Sequence, residues 1–267
     1  MLKKLYYYDL KWSLKTITIF LGLGLAFAVF GRIFQLLPDS IMFEVLGAIC
    51  NGTSLSLTIS AIFNCVIRAW VRLNLTMYKD ESYLTHTIPV SISTHFLSKV
   101  LATITVIVIS MVFLVLVVFI MYYSKENFES LKSLLNVVSG TMDISVVGFL
   151  ILVILVILFE IIFIVFSGFF GAVYGNSYNK KRVLKTLVYA FGAYFICSAF
   201  SLIIMLLSTL FNEDLYNVVF VNTQDVVNIG LDILKAILSV GLFLYIGYCI
   251  LLYYLTDRKL KQGINID

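Results

Sequence analysis

Apolar residues in this chain come in long unbroken runs. Six of them, at about 16–37, 41–67, 100–123, 147–173, 186–211 and 233–256, are long enough for a helix to cross a hydrocarbon core, which takes roughly 20 residues. An outer-membrane barrel would instead show alternating segments of about ten residues. The polar stretches between the runs are short. The longest, 68–99, is too small to form a domain. The pattern predicts an all-α integral membrane protein with one six-helix transmembrane domain over 16–256 and a tail over 257–267.

Composition agrees with the pattern. Hydrophobic residues make up 61% of the 267 and charged residues 13%, too little polar surface to coat a water-soluble globule. A cytosolic enzyme, a secreted disulfide scaffold and a disordered regulator are thereby excluded. Cys50, Cys65, Cys197 and Cys249 all fall within apolar runs and show no metal-ligand spacing. The net charge of +4 is too small to suggest a nucleic-acid partner.

The distribution of charge is more informative than its sum. Fifteen of the 19 basic residues fall before span one, between spans two and three, between spans four and five, or after span six. By the positive-inside rule these segments and both termini are cytoplasmic. The lack of organelle signals and the aliphatic, Asn/Lys/Tyr-rich composition suit a bacterial plasma membrane.

Residues 1–15 read as an interfacial helix. At about 100° per residue, Lys4, Lys11 and Lys15 share one face, and Leu2, Leu5, Tyr6 and Trp12 share the opposite one. Asp9 falls on the apolar face and does not fit that pattern. The competing reading is a basic flank that only orients span one.

Within the inner loop, Pro89 disfavours helix at Ile88, and Ser91 or Ser93 can cap the helix that enters span three. About three helical turns fit between Thr76 and Thr87, and Met77, Leu84 and Ile88 then lie within about 40° of one another, with Glu81 among them. A short helix with one apolar stripe and an acid suits a groove on another protein. It equally suits a loop helix resting on the membrane surface.

The string Asp80-Glu81-Ser82-Tyr83-Leu84-Thr85-His86-Thr87-Ile88-Pro89-Val90-Ser91, followed by Leu97-Ser98-Lys99, resembles a segment of the permease subunits of bacterial ATP-binding-cassette (ABC) exporters of the six-span type. Ser82 stands where that pattern has Gly. The resemblance implies that the loop holds a coupling helix docking on a separate ATPase, with Asp80, Glu81, Tyr83, Leu84, Pro89 and Ser91 at matching positions. With Met77 and Ile88 from the helical stripe, the first five of these form the expected coupling set. The chain has no Gly-x-x-x-x-Gly-Lys-Ser/Thr phosphate loop. ATP and magnesium are therefore expected on the partner, with no cofactor held by this chain. Six helices are few to enclose a pathway, so a second permease subunit, identical or related, is expected, along with membrane lipid. The cargo implied is an amphipathic peptide, drug or lipid.

Polar residues at membrane depth are costly and usually face protein or water. Glu160 lies mid-span, and Ser167, Gly171 and Gly175 follow on the same face. Small residues let another helix approach closely, so this face reads as a packing seam or as a substrate or proton site. Glu44, Asn51 and Thr58 recur every seven residues in span two. They either line an aqueous route or act as hydrogen-bond glue. No catalytic set can be assembled, since the only histidines, His86 and His95, lie in one loop without acid or thiol partners at ligand spacing, and no metal site is expected. Two other functions stay open. One is an ion-coupled secondary transporter using Glu160 or Glu44, which calls for broken helices. The other is a membrane immunity or scaffold protein, which needs no coupling helix.

Overall fold

A computed structural model gives the fold of residues 1–38, 40–79, 81–142, 145–178, 180–211 and 226–262. Every regular element among them is a helix: α1 (Leu2–Gln35), α2 (Ile41–Tyr78), α3 (Ser82–Thr87), α4 (Ile92–Tyr122), α5 (Lys125–Met142), α6 (Val146–Asn176), α7 (Arg182–Phe211) and α8 (Val226–Lys261). Among the described residues α1, α2, α4, α6, α7 and α8 are long and apolar enough to span a membrane. The protein has the helical architecture of a multi-pass membrane protein.

Local chemistry sets the breaks. Pro38 follows the end of α1 and cannot continue a helix. Ile88, held extended (ψ 128°) before Pro89, ends α3, and an extended Ser91 opens α4. Ser145 caps α6, its hydroxyl accepting from the Gly148 amide at 3.1 Å. Between α6 and α7, Lys181 takes a left-handed conformation (φ 56°), which is uncommon for a residue with a side chain.

The chain forms two compact units, Met1–Phe128 and the part from Glu129 onward. In the first, α1, α2 and α4 pack on one another. The buried side of α1 is Asp9, Ser13, Ile17, Leu21, Gly24, Ala28 and Gly31, spaced by three or four residues as one helical face requires. Close approach to α2 depends on its glycines. Ser54 donates to the Gly24 carbonyl at 2.6 Å. A Cβ on Gly24 would stand 2.7 Å from the Thr58 hydroxyl, and one on Gly31 would overlap the Asn51 side chain. Ala28, Val117 and Met121 close the core at the other end.

In the second unit α6 is the hub, with α7 and α8 each packed along it. Phe163 is 1% exposed and lies 5.4 Å from the Tyr194 ring, 5.8 Å from Tyr245 and 5.5 Å from Tyr248. Each such ring pair contributes about 0.5–1.5 kcal/mol beyond its area. Cβ atoms on Gly171 or Gly175 would collide with Thr186 or Ala190 of α7, so these glycines set that helix spacing.

Three features differ from the sequence reading. Residues 2–15 are not a separate interfacial helix but the first turns of α1, whose 34 residues make a rod about 51 Å long. Likewise α2 does not end near residue 67 but continues to Tyr78. Met77 therefore belongs to α2, fully buried, and shares no helix with Leu84 or Ile88. Lastly, α5 occupies a segment for which no element was expected.

Candidate functional site

The polar end of the first unit gathers its charges around one carboxylate. Asp9 lies on the face of α1 that α2 and α4 cover, and is 4% exposed. Arg68 and Arg72, one turn apart, extend from the last turns of α2, while Ser98 and Lys99 lie in the opening turns of α4. All three helices thereby aim polar groups at a single volume.

Each Asp9 oxygen has partners. Arg72 Nε donates to Oδ1 at 2.9 Å. Ser98 Oγ donates to Oδ2 at 2.7 Å, and Lys99 Nζ reaches the same oxygen at 3.3 Å. Lys99 is itself 5% exposed. A buried ion pair is retained only when geometry and added hydrogen bonds offset the loss of water. Here two cations and a hydroxyl share one carboxylate.

The cluster extends to the short helix. Arg72 Nη1 donates to Glu81 Oε2 at 2.8 Å, and Glu81 immediately precedes α3. Trp12, one turn after Asp9, supports the arginines from below. The Arg68 guanidinium lies 4.1 Å from its ring centre and that of Arg72 5.2 Å, while Arg68 Nη2 donates to the Trp12 carbonyl at 2.9 Å. Tyr6 adds a hydroxyl contact to Thr105 of α4 at 3.0 Å. One connected network thus joins α1, α2, the start of α3 and α4.

Of the expected coupling set, Tyr83 is 71% and Ile88 39% exposed, and Pro89 is exposed beside them. Glu81 is only part-exposed and engaged with Arg72. Met77 is buried beneath, so it does not belong to the presented surface. Ser91 opens α4, its hydroxyl 2.8 Å from that of Thr94. Asp80 and the Leu84 side chain lie outside the described residues.

The polar residues within the spans fall in different surroundings. Asn51 and Thr58 are buried against the glycines of α1, whereas Glu44 is exposed near the opposite end of α2. Thr58 donates to the Ser54 carbonyl at 2.8 Å. Ser167 is buried and donates to the Phe163 carbonyl at 3.0 Å, and Gly171 meets α7. Glu160 is part-buried, one turn before Phe163. Among the described residues no three His, Cys, Asp or Glu side chains converge as metal ligands would.

The sequence reading missed Asp9 as a hub, along with Arg72, Ser98, Lys99 and Trp12. Its one signal was the misfit itself, an acid on an apolar helical face. The chain matches no family model, and no characterised protein or solved structure matches it either.

Proposed function

We propose that this chain is the membrane-spanning subunit of an ATP-driven exporter, with ATP and magnesium bound on a separate ATP-binding-cassette ATPase and the pathway completed by a second permease subunit, identical or related. The observation that carries this reading is the link from Glu81 through Arg72 to Asp9 and Lys99. It fastens a short exposed helix to the ends of three spans. In this reading the protein lies in a bacterial plasma membrane with both termini cytoplasmic, which the distribution of basic residues supports, and Tyr83, Ile88 and Pro89 form the contact with the ATPase.

The mechanism follows from that rigidity. ATP binding draws two ATPase subunits together and displaces α3. Because Glu81 and Asp9 hold Arg72 from two sides, the displacement passes to α1, α2 and α4 as one body, and the pathway changes the side on which it opens. Cargo is an amphipathic peptide, drug or lipid. The resemblance of 80–91 to the coupling segment of six-span exporters supports the same reading.

The test is whether an ABC ATPase co-purifies with the chain from its native membrane. Wild-type chain is expected to retain it, and Tyr83→Asp, on a surface side chain, to lose it while eluting as a monodisperse species. Uphill transport by the isolated chain in vesicles without nucleotide would overturn the proposal.

A further inference from the structure

In the second unit α7 and α8 both follow α6 but touch each other only sparsely. They meet where Ser201 and Tyr248 place their hydroxyls 2.9 Å apart. Beside that contact, residues of both helices line a cavity of about 420 Å³. The volume lies within the range of about 300–1,000 Å³ that small-molecule sites occupy.

Its lining indicates what fits. Phe163, Tyr245 and Tyr248 close one end with three packed rings, and no charged side chain is among the described residues of the wall. Of its five hydroxyls, Ser201 bonds Tyr248 and the Cys197 carbonyl at 3.1 Å, and Ser208 bonds the Met205 carbonyl at 2.6 Å, while those of Ser198 and Tyr245 complete the set. With most of the lining apolar and three of its five hydroxyls already bonded, such a wall gives water little to bond. Apolar cavities of this kind stay dry and take up hydrocarbon. From Ser201 to Ser208 the wall follows α7 for about 10 Å, so the space is elongated. Leu202, on the wall and 62% exposed, places an opening on the side that a membrane-spanning helix turns to lipid.

We infer that this cavity binds one aliphatic chain of an amphiphile, held end-on against the Phe163–Tyr245–Tyr248 rings. The chain belongs either to a bilayer phospholipid or to a free single-chain amphiphile. Binding here involves only the second unit and does not depend on the proposed ATPase partner.

Gly241 makes the site testable. It lines the cavity, and a Cβ added there meets nothing within 4 Å, so a larger side chain fills the space without displacing the helices. The full chain in nanodiscs is irradiated with phosphatidylcholine carrying a diazirine in one acyl chain or, separately, with a 16-carbon alcohol carrying the same group. Adducts are then mapped by mass spectrometry. Met205 and Leu244 are expected to be labelled at least fivefold less in Gly241→Phe than in the wild type, with labelling of the outward-facing Phe195 and Phe243 unchanged. Gly241→Leu supplies the same comparison should the larger variant not purify. Labelling by the phospholipid alone identifies a resident lipid chain, and labelling by the alcohol that tetradecanol displaces identifies a free amphiphile. The inference is overturned if Met205 and Leu244 label no more than Phe195 and Phe243 in the wild type, or if filling the cavity leaves their labelling unaltered.

Discussion

Asp9 and Arg72 are 63 positions apart in sequence, yet Arg72 Nε lies 2.9 Å from Asp9 Oδ1. The pair fixes the first turns of α1 against the last turns of α2, and Lys99 fixes α4 to the same carboxylate. Removing the shared acid leaves two cations facing one another with little water to screen them. Breaking a buried pair on one side costs about 3–5 kcal/mol. Asp9→Asn is therefore expected to lower the thermal midpoint of the purified protein markedly, and Lys99→Met to lower it less. The double variant is expected to be more stable than the sum of the single effects predicts, by more than about 0.5 kcal/mol. Additive losses would show that Asp9 and Lys99 do not act as a pair.

Glu81 contributes differently from Asp9 because its side chain is 46% exposed. An ion pair in that setting contributes about 0.2–1 kcal/mol. Glu81→Gln is expected to leave the global thermal midpoint unchanged while loosening α3 locally. Amide exchange within Ser82–Thr87 should accelerate about 1.4- to fivefold, the factor that such an energy corresponds to. Unchanged exchange would mean that α3 is held by its backbone and apolar contacts alone.

The spans were legible because hydrocarbon demands long apolar runs and almost nothing else produces them. Helix ends were not, because hydropathy marks where lipid ends and not where a helix does. Arg68 and Arg72 read as the boundary of span two, yet α2 continues to Tyr78. Their charges are accommodated by Trp12, Asp9 and Glu81, which are distant in sequence or beyond the apparent end. The same blindness to tertiary partners placed Met77 on a docking stripe. Its period matches that of Leu84 and Ile88 only if one helix runs through Lys79, whose extended backbone breaks it. Asp9 was visible as an anomaly, but an anomaly names no partner. The seam at Gly171 and Gly175 was visible as small residues on the Glu160 face, whereas Gly24 and Gly31 carried no such signal, and only the structure assigns the first pair to α7 and the second to α2.

Those seams give a paired prediction in the second unit. A Cβ on Gly175 would overlap the backbone of Thr186, which cannot rotate away, whereas one on Gly192 meets nothing within 4 Å. Gly175→Ala is expected to destabilise by about 1–3 kcal/mol through forced separation of α6 and α7. Gly192→Ala is expected to stabilise by up to about 1 kcal/mol through helix propensity. Thermal unfolding of the two variants in one detergent separates them, and similar midpoints would show that α6 and α7 do not approach closely at this seam.

The last prediction concerns α5, which joins the end of α4 at Tyr122 to the start of α6 at Val146. Both neighbours are long and apolar enough to span a membrane, so α5 is expected at its edge. Phe128, Leu131 and Leu134 recur every three residues and are all more than half exposed, while Glu126, Glu129 and Lys132 occupy other positions around the helix. A helix so patterned and so tethered is expected to lie in the plane of the interface, apolar side inward. Single cysteines can report this once Cys50, Cys65, Cys197 and Cys249 are replaced by alanine. Cysteines at 126, 129 and 132 are expected to react with a membrane-impermeant maleimide about tenfold faster than those at 128, 131 and 134. By the basic-residue distribution, they should do so in intact cells with reagent added only outside. Equal rates at all six positions would show α5 standing free in water, and reaction only after the cells are opened would invert the assigned topology.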